Sequence, residues 1–206
     1  MRQLTSIVAM NAAGAIGAGN HLPWRIRSDL QFFRRQTLDQ VVIMGRKTYD
    51  SLGGALPRRT NIVVTHGFSL FPTTAECSAV GAIDEALVAA SRAPKKKEVF
   101  IVGGASMYEQ FSPYVDRYLI TLVDKEVPDA DTFFREAWLG DQSDWDSQII
   151  SEGIADGKDN EANFRIWEFL PKRPQIIADR RMAAIDALKR RASAGLSFSN
   201  FSTAQI

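Results

Sequence analysis

The sequence predicts an α/β layer architecture with mostly parallel neighbouring strands. Strand and helix signals alternate along the chain, short β-branched runs end on glycine and pass into helical stretches, and 206 residues with 45% hydrophobic content, 12 Phe, 4 Trp and 4 Tyr supply one sizeable core. In such sheets ligands bind at the carboxyl ends of the strands.

The elements follow in order. Ile7-Val8-Ala9-Met10 reads as a strand broken by Asn11. The next nine residues, Ala12 to Asn20, are too glycine-rich to hold a regular element, which predicts a mobile loop closing at Pro23-Trp24. Ser28 is the expected helix N-cap, with Leu30 and Phe33 on one face and Asp29 beside them. A buried strand, Val41 to Met44, ends at Gly45, and a short helix is expected around Tyr49 to Leu52. Asn61 to Thr65 is a second such strand, Ile83 to Ser91 a helix with Ala86, Leu87 and Ala90 inward, and Glu98 to Val102 a third strand running into Gly103-Gly104. Ala105 to Phe111 is helical, Tyr118 to Val123 a strand, and Phe164 to Leu170 alternates like a half-buried strand that Pro171 and Pro174 end.

Composition narrows the chemistry. A lone Cys77 forbids an internal disulfide framework, and two distant histidines, His21 and His66, are too few for a zinc site, so no metal centre is expected. Apolar runs fall well short of the about 20 residues that cross a bilayer, and Met1 to Ser6 does not open a signal peptide, so the expected compartment is the cytoplasm, with no membrane partner. The net charge of +1 conceals an asymmetry: residues 171–206 hold seven Lys/Arg against two Asp, and the first 170 hold 18 against 22 Asp/Glu.

Three features can carry chemistry. Gly45-Arg46-Lys47-Thr48 and Gly103-Gly104-Ala105-Ser106 each join a strand end, a glycine and a helix start, a combination that cradles phosphate, and two cradles fit an extended dinucleotide. Each taken singly is equally at home as an ordinary strand-to-helix turn, and Gly-x-Gly-x-x-Gly is missing after Val102. The third is Asp29, a carboxylate among Leu30, Phe32 and Phe33, suited to an amidine- or guanidine-like edge or, alternatively, to the dipole of its own helix.

Taken together and in order, Ile16-Gly17, Leu22-Pro23-Trp24, Asp29-Leu30-x-x-Phe33, Val42 to Thr48, Leu56-Pro57-x-Arg59-x-Asn61, Val102-Gly103-Gly104 and Tyr108 resemble dihydrofolate reductase of the bacterial type, over about residues 4 to 170. The resemblance implies a three-layer fold with a central, mostly parallel mixed sheet of about eight strands flanked by helices. It implies residues 1–170 as the reductase domain, which leaves 171–206 as a basic C-terminal extension, read from its own composition as one helix and a flexible end. The implied reaction moves hydride from NADPH to C6 of 7,8-dihydrofolate, with a proton delivered to N5 through water.

By the same resemblance Asp29 faces the pterin 2-amino group and N3, walled by Ile7, Leu30, Phe33 and Leu52, while Trp24 and Thr121 hold Asp29 and an ordered water. Arg59 pairs with the α-carboxylate of the glutamate tail, as a planar fork can, and Arg34 contacts that tail or is simply solvated. Val102 and Tyr108 line both ligands. On the cofactor side the resemblance implies the backbone of Ala9 and of Ile16, Gly17 and Asn20 at the nicotinamide, Leu22 as the gate of the loop, and Gly103, Gly104, Ala105, Ser106 and Met107 around the pyrophosphate, with a cis peptide between the two glycines. Arg46, Lys47 and Thr48, with Thr65 and His66, surround the adenosine 2′-phosphate, and Gly45 is a further cofactor-binding position. Ser106 departs from the arginine of several bacterial members, so one phosphate contact is lost. Antifolate-type small molecules are implied partners; nucleic acid is not.

Residues 171–206 lie outside the resemblance. Asp179 to Ala192 is helical in composition, with an apolar face of Ala178, Met182, Ile185 and Ala192 interrupted by Arg181 and Lys189, and is read as a solvated helix on an acidic core. A monomer is expected, with a tail-mediated dimer as the alternative. Two other functions share parts of the pattern: a pyrimidine reductase of riboflavin synthesis, against which Asp29, Phe33 and Arg59 speak, and a protein that holds a nicotinamide nucleotide without turnover.

Overall fold

The structure, a computed structural model, describes residues 3–67, 71, 73–94 and 96–193. Strand β1 (Leu4–Asn11) lies near the middle of an eight-stranded sheet. After the short β2 (Ala15–Gly17), helix α1 (Arg27–Thr37), β3 (Val41–Gly45), α2 (Arg46–Ser51), β4 (Thr60–Val64), β5 (Cys77–Val80), α3 (Ile83–Arg92), β6 (Val99–Ile101), α4 (Ala105–Phe111) and β7 (Arg117–Val123) follow. β8 (Thr132–Phe133), β9 (Trp145–Gly153), β10 (Phe164–Pro171) and α5 (Pro174–Ser193) complete the described residues. The order across the sheet is β5-β4-β3-β6-β1-β7-β10-β9, parallel except where β10 meets β7 and β9.

Alternation along β3 shows why the fold has three layers. Val41 and Ile43 point into one cluster, with Leu87 and Ala90 of α3 and Phe111 of α4, whereas Val42 and Met44 point into another, with Phe32 of α1 and Trp24. A strand buried on both faces is apolar at every position, and these four residues have no exposed surface.

Several elements differ from the sequence reading. Strands β5, β8 and β9 carry no apolar run: β9 is an outer strand of exposed and half-buried residues, β5 borders the opposite edge, and β8 has two residues. The glycine-rich loop contains a regular piece, since β2 pairs antiparallel with β8, a long-range partner that composition does not reveal. The N-cap of α1 is Ile26 rather than Ser28, and its capping acceptor is remote: the Ser28 N–H donates to Asn160 Oδ1 at 3.1 Å and the Arg27 N–H to the Asp159 carbonyl at 2.9 Å. Pro174 does not merely end a strand; it is the first residue of α5, where its missing N–H costs nothing.

Helix α5 is docked rather than solvated. Its inward face is Arg181, Ile185 and Leu188, and Met182 is exposed. Ile185 belongs to the cluster of Ala86, Leu87 and Ala90. Arg181, read from sequence as an interruption, is 3% exposed: Nη2 donates to Asp116 Oδ2 at 2.9 Å and Nη1 to the Tyr114 carbonyl at 3.2 Å. Asp116 Oδ1 in turn accepts the Leu4 N–H at 2.7 Å, so the pair ties α5 to the start of β1. Ala192 lies beyond the described side chains, as does the serine-rich end of the chain.

Candidate active site

A cleft of about 480 Å³ opens at the carboxyl ends of β1, β3 and β6. Its floor is Ile7, Val8 and Ala9 from β1, one wall is Asp29, Leu30 and Phe33 from α1, and another is Lys47, Thr48, Ser51 and Leu52 from α2 and its end. The turn from Val102 to Met107 with Tyr108, the loop residues Ile16, Gly17, Asn20, His21 and Leu22, and Thr121 and Thr132 complete it. Leu22, Leu30 and Leu52 are each about half exposed, at 54%, 48% and 46%, an apolar rim suited to cover a flat aromatic guest.

Asp29 is the one carboxylate of this lining, in the first turn of α1. Burial pushes its carboxyl above the usual aspartate range, and the Thr121 hydroxyl, donating to Oδ1 at 2.6 Å, pulls partly the other way. The Tyr108 hydroxyl is fully enclosed and donates to the Ile7 carbonyl at 2.8 Å; burial, then the Asp29 charge, raises it far above the ordinary phenol. Trp24 lies buried behind the cleft, and its indole N–H finds no acceptor among the described residues. A donor of this kind suits an ordered water.

The loop over β1 is fastened from two sides. Asp131 Oδ2 accepts the Gly19 N–H at 2.9 Å, and the Asp131 N–H donates to the Gly17 carbonyl at 3.1 Å. Hydrogen bonds from Thr132 and Gly19 hold the Asp131 carboxyl below its usual range. Further on, Glu161 accepts the Arg25 N–H, and Lys125 bridges Glu161 and the Pro23 carbonyl. Gly14, at φ +78°, makes the turn before β2 possible, since a Cβ there would meet the Phe134 carbonyl oxygen at 2.4 Å.

At the other end, the peptide between Gly103 and Gly104 is cis, and the Gly45 N–H donates to the Gly103 carbonyl at 2.8 Å. A Cβ at Gly104 would stand 3.3 Å from Thr48 Oγ1, so glycine keeps this cradle open for a ligand. The residues fit a nucleotide pyrophosphate here, with the Lys47 ammonium in the same lining.

Seven of the residues singled out from sequence do not line the cleft. Trp24 stands behind it, and Gly45 lies under Met107. Arg46 turns to Asp50, Thr65 bonds through its N–H to Val80, and His66 is exposed on the turn after β4. Arg59 is buried against the Pro57 carbonyl and the Thr37 hydroxyl, at 2.7 and 3.2 Å, and burial followed by the neighbouring Arg34 charge lowers its pKa. Arg34 lies in the last turn of α1. Ser106 lines the cleft, its hydroxyl accepting from Gln110 at 2.7 Å. Sequence reasoning missed Val8, His21, Ser51 and Thr132. Ser51 follows Thr48 by three residues on one helical face and was within reach of periodicity, whereas Thr132 arrives through β8, for which sequence carries no signal.

A cleft at the strand ends, with a glycine cradle at one end and a single desolvated carboxylate at the other, defines a nucleotide-dependent reductase of the α/β class. The family profile described as dihydrofolate reductase matches residues 3–170. A dihydrofolate reductase of Staphylococcus haemolyticus is 34% identical over 167 residues, covering 81% of this chain and 95% of that protein. One from Bacillus subtilis is 36% identical over 156 residues, covering 75% and 87%. The solved dihydrofolate reductase of Enterococcus faecalis, complexed with NADP(H) and RAB-propyl, superposes with a TM-score of 0.70 at 27% identity, over 82% of this chain and 96% of that one. The chain belongs to the dihydrofolate reductase family, and its reaction is the NADPH-dependent reduction of dihydrofolate to tetrahydrofolate.

Proposed function

We propose that Asp29 receives the pterin of 7,8-dihydrofolate, its carboxylate facing the 2-amino group and N3, while hydride reaches C6 and water delivers the proton to N5. The observation that carries this reading is the placement of one carboxylate, desolvated and steadied by Thr121, between the aromatic wall of Phe33 and the floor of Ile7. Its negative charge raises the proton affinity of a pterin held against it, and the leucine rim limits bulk water around the pair. Trp24 and Thr121 hold that water and the carboxylate; they position and do not react.

Bound NADPH supplies the hydride. The protein orients it: Ala9, Ile16, Gly17 and Asn20 offer backbone polar groups on the nicotinamide side, Tyr108 fixes the floor beneath it, and the cradle from Gly103 to Met107 takes the pyrophosphate. Arg46, with Lys47, Thr48, Thr65 and His66, reads the 2′-phosphate. Arg59, whose guanidinium is set by Pro57 and Thr37, takes the glutamate α-carboxylate, with Arg34 beside it. Residues 1–170 form the reductase unit and 171–206 a basic appendage, in a cytoplasmic monomer that also takes antifolate-type small molecules.

The test is dihydrofolate-dependent oxidation of NADPH by the purified chain, repeated with Asp29→Asn. Loss of turnover near neutral pH with NADPH binding retained supports the assignment; an unchanged pH–rate profile refutes it.

A further inference from the structure

Arg46 is held in an unusual way. Its Nε–H donates to both carboxylate oxygens of Asp50, at 2.8 and 2.9 Å, one helical turn on in α2. Its guanidinium carbon lies 5.3 Å from the ring centroid of Phe71, a contact of the cation–π kind. Phe71 is itself fixed: it is 6% exposed and meets the Tyr49 ring edge-on at 5.0 Å. Among the described residues the Nη1 and Nη2 edge of Arg46 makes no hydrogen bond. An arginine whose narrow edge and one face are already occupied has less rotational freedom to lose on binding, even with its side chain 49% exposed, and its four outer N–H groups form a fork of the geometry that phosphate accepts.

We propose that Phe71 and Asp50 form a clamp that pre-orients Arg46 toward the 2′-phosphate of the cofactor, making Phe71 a positioning residue for NADPH over NADH. The inference rests on the assignment of Arg46 to that phosphate. It extends recognition to a residue 25 positions downstream, in a loop that carries no charge of its own at that point. It also gives Asp50 a role that its sign alone would not: a carboxylate near a phosphate repels it, but by engaging only Nε it leaves the outer fork for the anion.

The experiment measures kcat and KM for NADPH and NADH at saturating dihydrofolate in Phe71→Leu, Asp50→Asn and Asp50→Ala. Phe71→Leu is expected to raise the NADPH KM about two- to fivefold, the scale of a half-exposed cation–π contact, with kcat and both NADH constants unmoved. Equal shifts for the two cofactors, or no shift for either, overturn the clamp. Should Phe71→Leu not accumulate as folded protein, Asp50 carries the test alone: Asn retains an acceptor for Nε and Ala does not, so a lower NADPH KM in Asn than in Ala is expected, and equal values overturn the proposal. Arg46→Gln separates the two layers of inference. If it leaves the preference for NADPH intact, the assignment of Arg46 fails and the clamp with it; if it abolishes the preference while Phe71→Leu does not lower it, the clamp alone fails.

Discussion

Replacing Arg181 by Met tests how firmly α5 belongs to the fold. The arginine and Asp116 side chains are 4% and 14% exposed, and the 2.9 Å bond between them joins α5 to the segment that opens β7. Removing the cation strands a largely buried carboxylate, a change that costs about 3–5 kcal/mol in comparable sites. Two features reduce that figure here: Asp116 keeps the Leu4 N–H at 2.7 Å, and the surface cavity of about 470 Å³ beside Arg173 and Arg181 brings water near it. Methionine also preserves much of the apolar stem. The expected loss is about 3 kcal/mol, equivalent to roughly 6–12 °C in Tm for a chain of this size. Urea unfolding followed by tryptophan fluorescence measures it, and adding Asp116→Asn should restore at least half, because no unpaired charge then remains. A single variant within about 0.5 kcal/mol of the parent, or a double variant no more stable than the single, would refute the account of α5 as an ion-paired part of the core.

Other perturbations read other parts of the structure. Because burial raises the Asp29 carboxyl, the folded state favours its protonated form, and that stabilisation is full below the ordinary value of 3.8 and lost as pH rises through the folded value. Asp29→Asn should therefore raise the Tm of the unliganded protein at pH 7, with the gain vanishing in acid, while turnover near neutral pH falls about a hundredfold or more. Gly14→Ala places a Cβ 2.4 Å from the Phe134 oxygen at a positive φ and should cost about 3 kcal/mol by chemical denaturation; a neutral result would show that β2 and β8 part easily. Asn160→Ala uncaps α1 at a cost of about 1–2 kcal/mol, and steady-state kinetics should show a raised KM for dihydrofolate with that for NADPH unchanged.

What the sequence reveals depends on where each residue's partner lies. The central strands are legible because burial on both faces forces an unbroken apolar run, as in Val41 to Met44. The outer strand Trp145–Gly153 is illegible for the converse reason: solvent on its surface permits Asp, Ser and Gln, and its pairing comes from β10. Asp29 stands out beside its own apolar neighbours, and the cleft collects it with nineteen other residues named from sequence. Arg181 misleads because its compensating charge is 65 residues away, so a buried anchor and a broken apolar stripe look alike. The same holds for Ser28, a good capping residue by type, displaced from that duty by an asparagine 132 positions later.

That remote asparagine sets an order of completion during synthesis. Chains emerge from the N-terminus, and a nascent chain of 150 residues already holds the β1 floor, Lys47 and Thr48, the Gly103–Gly104 turn and Thr132, every group assigned to the nucleotide end of the cleft. It does not yet hold the acceptor for the Ser28 N–H, nor the carbonyl of Asp159 that takes the Arg27 N–H. The helix that carries Asp29, although written within the first forty residues, is finished from the last fifth of the reductase fold. A chain stopped between residues 132 and 159 therefore carries every group assigned to the cofactor and lacks the acceptors that finish the helix bearing Asp29.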